Sequence, residues 1–154
     1  MSGLSFGVEP LAKLLADPAL REMIEDYYEE LSPLKHILPL DLDWAGMIEE
    51  EAGGTFFVWA ARVDRSLAGF ISFRLVYHPH HRRVLFAIDA GHFLAPAFRG
   101  KGRVGYRMWR TAEPEARRRG AKLIWGHDSA THSLMPFYLA LSYEPVGTVF
   151  WKVL

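Results

Sequence analysis

The hydrophobic and polar positions of this chain fall into blocks whose periods separate helices from strands. Residues 4–9 form a short apolar run that predicts a first strand. Residues 12–31 carry a helical pattern, interrupted near Asp17-Pro18 because proline disfavours helix in the residue before it, and Ser32-Pro33 ends it. A second helix, capped by Asp41 or Asp43, runs to about Ala52 and stops at Gly53-Gly54. Residues 55–63 are rich in Phe, Val and Trp and predict a strand, which Asp64-Arg65-Ser66 turns into a second strand over 67–77. Residues 78–83 read as the next loop, and 84–94 as the strand after it. The main helix spans 102–119, with Val104, Met108 and Ala112 at every fourth position. Pro114 removes one of its hydrogen bonds and is expected to bend it, and Gly120 follows as a C-terminal cap. A strand at 122–127, a helix at 133–141 with Pro136 in its first turn, and a final strand at 146–153 complete the series. The order is β-α-α-β-β-β-α-β-α-β, with no internal repeat or low-complexity linker.

Composition narrows the classes open to such a chain. Its 154 residues suit one domain over the whole length, 1–154, and half of them are hydrophobic, enough for a packed core. The 18 basic and 18 acidic residues cancel, which argues against a nucleic-acid-binding module, since phosphate contacts demand a basic excess. The Arg-rich end of the main helix, Arg117-Arg118-Arg119, is more simply a complement to the helix dipole. With no cysteine there is no disulfide, no thiolate metal site and no covalent Cys nucleophile. Neither a signal-peptide pattern nor an apolar run of about 18 residues is found, so a cytoplasmic protein with no membrane partner is expected.

The junction at residues 93–105 carries the chemistry. An apolar strand ends at Pro96, and the loop that follows holds Gly100, Gly102 and Gly105 among Arg99, Lys101 and Arg103 before the main helix begins. Glycines let backbone N–H groups turn toward a ligand, and a helix N-terminus adds partial positive charge, so this arrangement can cradle phosphate. It is not a P-loop, because no Gly-Lys-Ser/Thr closes it, and it lacks the spacing of a dinucleotide fingerprint.

Two ordered motifs resemble the GCN5-related N-acetyltransferase (GNAT) superfamily. Arg99-Gly100-Lys101-Gly102 is similar to its Arg/Gln-x-x-Gly-x-Gly/Ala pyrophosphate loop, preceded by the matching FLAPAFRGKG context. Residues 136–147, PFYLALSYEPVG, resemble its late FYxxLGFxxxG segment. The family's second small residue falls on Val104, with Gly105 one place later, so either the loop holds an extra residue or the helix starts late. Phage-associated bacterial members have loops of this kind. The resemblance implies a mixed α/β (α+β) GNAT fold: a mainly antiparallel sheet flanked by helices, with a V-shaped splay between two central parallel strands.

It also implies acetyl-CoA as co-substrate, with no metal, and transfer of its acetyl group to a primary amine by direct attack in a ternary complex. Phe93, Leu94 and Ala95 would lie along the pantetheine arm, an amide near Leu94 would hold the oxyanion, and Arg99, Gly100, Lys101, Gly102, Arg103, Val104 and Gly105 would meet the pyrophosphate. Tyr138 matches the family's late tyrosine, a general acid for the departing sulfur; a ring packed in the core with its hydroxyl at the edge is the plainer reading. For the base the strand before the loop offers Asp89 and His92, with a bridging water as the third option. Neither residue falls on the usual family positions, which Ile88 and Ala90 occupy unless a bulge shifts the register. By simple alternation His92 shares a face with Ala90 and Leu94.

The acceptor, a small-molecule or peptide amine, would meet the first two helices, their connection and the final hairpin, with Tyr28, Glu29 and His36 as the candidate contacts and Tyr27, Glu30 and Lys35 beside them. Tyr-Tyr-Glu-Glu could bind a cationic amine, although glutamates here could equally face water. His78, His80 and His81 have no acidic or Cys partner nearby and read as a solvated basic turn rather than a metal site. His127, Asp128 and His132 fall near the expected cofactor edge without a spacing rule that selects them. A catalytically silent acyl-CoA-binding sensor or scaffold is the alternative to an enzyme, and a homodimer through sheet edges is common in similar proteins.

Overall fold

The computed structural model describes residues 3–101, 103–129, 133–150 and 152–153. Strand β1 (Leu4–Val8) is followed by helices α1 (Leu11–Leu15), α2 (Pro18–Leu31) and α3 (Trp44–Ala52). The break expected at Asp17-Pro18 divides α1 from α2: Asp17 accepts a hydrogen bond from Ala19 N at 3.1 Å, and Pro18 opens the helix. Asp43, not Asp41, caps α3 through Gly46 N at 2.9 Å. Strands β2 (Phe56–Val63), β3 (Ser66–His78) and β4 (His81–Leu94) then form an antiparallel meander. Asp64 and Arg65 both take positive φ at the first turn, as a type I′ hairpin requires.

The second hairpin is tighter than the polar run 78–83 suggests. His78 pairs with His81, so the two strands run almost to the tip of the hairpin. Ladder hydrogen bonds there need no hydrophobic side chains, so alternation was a poor guide to where β4 starts.

After a 3₁₀ turn (Pro96–Phe98), helix α4 (Val104–Arg118) continues past Pro114 and is followed by β5 (Leu123–Trp125) and α5 (Met135–Ala140). The sheet order is β1-β2-β3-β4-β5, antiparallel except for the parallel pair β4/β5. The described part of 146–153 forms no strand, and Val146 and Phe150 are 84% and 87% exposed. With only three residues in β5, the adjacent ladder is too short to hold a further strand by local pairing alone.

Both faces of the sheet are covered, so its strands are apolar on both sides. On one face Phe57, Ile71, Phe73 and Ala87 pack against Met108, Trp109 and Ala112 of α4 and Tyr138 of α5. On the other, Phe56, Val58, Phe70 and Phe93 pack against Leu11, Leu14, Leu20 and Met23 of α1 and α2. Gly69 permits the close approach of β3 to β4, since a Cβ there would fall 2.6 Å from the Phe93 carbonyl. No helix among the described residues is long and apolar enough to cross a membrane.

Candidate active site

The parallel pairing of β4 with β5 covers Phe86–Leu123, Ala87–Ile124 and Ile88–Trp125, and stops there while β4 continues for six more residues. The two strands part at that point, and the first residue past the junction is Asp89. A β-bulge lies at the same place. Phe73 of β3 faces Asp89 but Ser72 faces Gly91, so Ala90 is the extra residue.

The bulge rearranges the side chains. Because Asp89 stands opposite Phe73 and His92 opposite Ile71, both project to the α4 face, and Ala90 turns to the other. His92 therefore shares a face with Asp89 and not with Ala90, contrary to simple alternation. His92 Nδ1 lies 2.7 Å from Asp89 Oδ2, while Asp89 Oδ1 accepts from Gly91 N at 3.0 Å. With Asp89 ionised, the proton of a neutral His92 sits on Nδ1 and Nε2 carries the lone pair.

Tyr138 joins this pair from α5. Its hydroxyl donates to the His127 carbonyl at 3.0 Å and lies 3.4 Å from Asp89 Oδ2. The His127 ring reaches back across the opening, with Nδ1 at 3.0 Å from the Asp89 carbonyl oxygen. Trp109 floors the group edge-on to His92, Tyr138 and Tyr143, at centroid distances of 5.3, 5.5 and 5.8 Å. Asp89 is 5% and Tyr138 7% exposed. Burial, and then the charge of Asp89, raise the Tyr138 pKa well above the ordinary tyrosine value. The phenol is thus a proton donor, not a base, at neutral pH. Neither Gly126 nor His127 was selected by sequence spacing; a glycine where the strand ends was the only signal.

The loop between β4 and α4 is held by Arg99. The Arg99 guanidinium forms a two-pronged bridge to Glu30 of α2 at 3.0 and 2.8 Å, donates Nε to the Leu94 carbonyl at 2.8 Å, and lies over the Phe93 ring. The Arg99 side chain is therefore already engaged within the protein. Ala95 N donates to Ala68 O at 2.9 Å, within the sheet. Gly100 and Arg103 adopt left-handed conformations, and the Arg103 guanidinium rests on Tyr106. Lys101 is exposed, and Val104 and Gly105 open α4, whose first-turn amides have no partners inside the helix. The helix thus starts after Arg103, which fits the late-start reading of the loop. Gly102 and His132 lie outside the described residues.

The acceptor candidates divide. Tyr28 is spent on the loop after α2, its hydroxyl 2.8 Å from Leu38 O, and Glu29 pairs with Lys35 at 2.6 Å. His36 is exposed on that loop. None of the three reaches the Asp89 cluster. Tyr27 does approach the bulge: a methyl group added to Gly91 would meet its hydroxyl at 3.6 Å. The Tyr27 ring stands edge-on to Phe93. The His78 ring meets His80 edge-on and His81 at a tilt in the hairpin turn, and among the described residues no His, Asp or Glu group is arranged to hold a metal.

Comparison with known proteins gives one family match. The model of the acetyltransferase (GNAT) family aligns with residues 18–143. Similar solved structures include an aminoglycoside acetyltransferase, meta-AAC0020, from an uncultured soil metagenomic sample (TM-score 0.71, 12% identity, 98% of this chain and 96% of that one). A ribosomal-protein-alanine N-acetyltransferase from Brucella melitensis biovar Abortus 2308 matches with a TM-score of 0.73 and 13% identity, over 99% of each chain. A transcriptional regulator from Bacillus halodurans C-125 matches with a TM-score of 0.74 and 15% identity, over 98% and 99%. At such identities they establish a common fold and nothing about the acceptor. No curated protein matches the chain.

Proposed function

Because this chain belongs to the acetyltransferase (GNAT) family, whose signature covers most of its length, we propose that it moves the acetyl group of acetyl-CoA to a primary amine by direct attack in a ternary complex. An acyl-CoA-dependent N-acetyltransferase needs a slot for the pantetheine arm, donors for the pyrophosphate, and acid–base groups at the thioester. The opening between β4 and β5 supplies the slot, and Gly100 to Gly105 with the start of α4 supply the donors. The observation that carries the reading is the convergence of Asp89, His92 and Tyr138 where the two strands part.

The reaction forms a C–N bond, breaks a C–S bond, takes one proton from the amine and gives one to the sulfur. Acetyl-CoA supplies the activated acyl group. His92 Nε2, its lone pair fixed by the Nδ1–H bond to Asp89, is the base that takes the amine proton, directly or through a water. Asp89 orients the ring and stabilises the imidazolium, a positioning part. Tyr138, held neutral by burial, gives its proton to the departing sulfur. A phenol is a weaker acid than a thiol, so the transfer is drawn forward by the breaking C–S bond rather than by the acidity of Tyr138, whose proton is restored from solvent before the next turnover. Holding amine and thioester together accounts for much of the rate.

The test is calorimetric titration of acetyl-CoA, followed by thiol release with a panel of amines, for the wild type and Tyr138→Phe. The expected result is acetyl-CoA binding in both, with kcat lowered about 10²-fold in the variant. Binding without turnover on any amine would favour the silent sensor instead. No binding would remove the acyl-CoA reading altogether.

A further inference from the structure

Behind the bulge, on the face opposite Asp89 and His92, a cavity of about 80 Å³ lies between the sheet and helices α1 to α3. Its walls include Ile24, Leu42, Trp44, Met47, Val58 and Phe70, and none of the residues lining it is charged. Polar groups gather only at the bulge end. There Ala90 and Gly91 form the wall, the Ser72 hydroxyl donates to the Gly91 carbonyl at 2.9 Å, and the Tyr27 hydroxyl stands near Gly91. The loop leading to α3 adds an apolar rim, since Leu40 lines the cavity and Ile37 and Leu38 beside it are 43% exposed.

Two carboxylates at the end of α2 are committed elsewhere. Glu29 holds Lys35, and Glu30 holds Arg99. What remains at the bulge is a pocket with no charged lining residue and with Tyr27 and Ser72 at its bulge end. A ligand suited to it has a compact hydrocarbon group next to a hydrogen-bonding head.

We propose that the acceptor is a primary amine bearing a compact, uncharged aliphatic group, which fills this cavity while the amine stays at its mouth beside Gly91, its proton passing to His92 on the other face by the water route and not directly. The assignment rests on the acetyltransferase reading and narrows its substrate class. It separates this chain from an enzyme for aminoglycosides, whose charges the cavity would leave unpaired in an apolar site.

Leucinamide, glycinamide and the aminoglycoside sisomicin are the probes, compared in kcat/KM for the wild type and Leu42→Asp. Leu42 lies half-buried in a loop, so the substitution adds a carboxylate to the wall without touching the sheet. Leucinamide should exceed glycinamide by at least tenfold and approach a hundredfold if its side chain is fully buried. Sisomicin should be a poor acceptor. Leu42→Asp should erase the preference while binding acetyl-CoA as the wild type does. Equal kcat/KM for the two amides, or sisomicin as the best acceptor, would overturn the assignment. If acetyl-CoA binds but no probe is acetylated, leucinamide is titrated into the acetyl-CoA complex: binding weakened by Leu42→Asp supports the cavity, and no binding overturns it. Failure of the wild type to bind acetyl-CoA would instead bring down the acetyltransferase reading, and this inference with it.

Discussion

The ring of Tyr138 lies against the bare α-carbon of Gly126, closer than any side chain at that position would permit. A Cβ on Gly126 would fall 2.7 Å from Cε1 and 2.9 Å from the hydroxyl oxygen of Tyr138. Two flanking contacts fix the phenol: the carbonyl of the next residue, His127, accepts its hydrogen bond, and Trp109 stands edge-on to its ring. Gly126 is thus what lets α5 deliver a hydroxyl to the point where β4 and β5 separate.

Gly126→Ala should therefore push Tyr138 off the His127 carbonyl. Overpacking of this kind costs about 1–3 kcal/mol in stability, and kcat should fall at least as far as in Tyr138→Phe. Urea unfolding together with thiol-release kinetics would check both effects. Wild-type stability and kcat in the alanine variant would show that the contact is relaxed at no cost.

His92→Gln retains a side chain able to hydrogen-bond Asp89 but has no basic nitrogen. Its kcat/KM should lose the decline on the acid side that protonation of a catalytic imidazole produces, and should fall about 10²–10⁴-fold at neutral pH. Asp89→Asn should retain the acid limb with a lower plateau, because the ring is still present but no longer oriented by a charge. A pH–rate profile for each variant separates a base from a residue that only packs.

The bridge from Glu30 to Arg99 makes a different prediction. Both side chains are partly exposed, at 29% and 40%, so the pair itself contributes only about 0.2–1 kcal/mol. Glu30→Gln should weaken acetyl-CoA binding by no more than about fivefold. Arg99→Ala loses the Leu94 carbonyl and the Phe93 ring as well, and should weaken it further. Tighter binding by Glu30→Gln would mean that the guanidinium is wanted by phosphate and is withheld by Glu30.

Alkaline pH should expose the buried phenols. Burial raises the pKa of Tyr27, Tyr138 and Tyr143, so each holds its proton more tightly in the folded state than in the unfolded one. Their contribution to stability is complete below the ordinary tyrosine value of about 10 and is lost progressively above it. Among the described residues the Tyr143 hydroxyl is buried with no hydrogen-bond partner. Tyr143→Phe should leave stability at pH 7 unchanged or raise it by about 1 kcal/mol, since an unsatisfied buried group is removed. It should also make the alkaline decline shallower. Denaturant unfolding between pH 7 and 11 measures both.

Much of the fold was legible in the chain because local rules dictate it. Asp17-Pro18 starts a helix wherever it lies, Gly53-Gly54 stops one, and the alternation of Phe56, Phe57 and Val58 between two apolar cores is written in the sequence itself. The loop at 99–105 and the family it points to were likewise readable, since a helix N-terminus and glycines act through the backbone. The extent of the histidine ribbon at His78–His81 was not, because exposed ladder bonds leave no hydrophobic trace, and the C-terminal strand depended on a neighbour that β5 is too short to provide.

For the site, Asp89, His92 and Tyr138 could be named from the chain, but their relationship could not. Counted along a regular strand, residues 89 and 92 point to opposite faces. One extra residue at Ala90 reverses that, placing the carboxylate and the imidazole together and turning the alanine toward an apolar cavity. A bulge is a matter of register between β3 and β4, and register is set by the packing of both sheet faces at once. Similarly, Tyr27 and not Tyr28 meets the bulge because of how α2 rotates on β3 and β4, which two adjacent tyrosines cannot encode by themselves. Residue types and local signals supplied the elements and the chemical groups; long-range packing decided which of those groups meet.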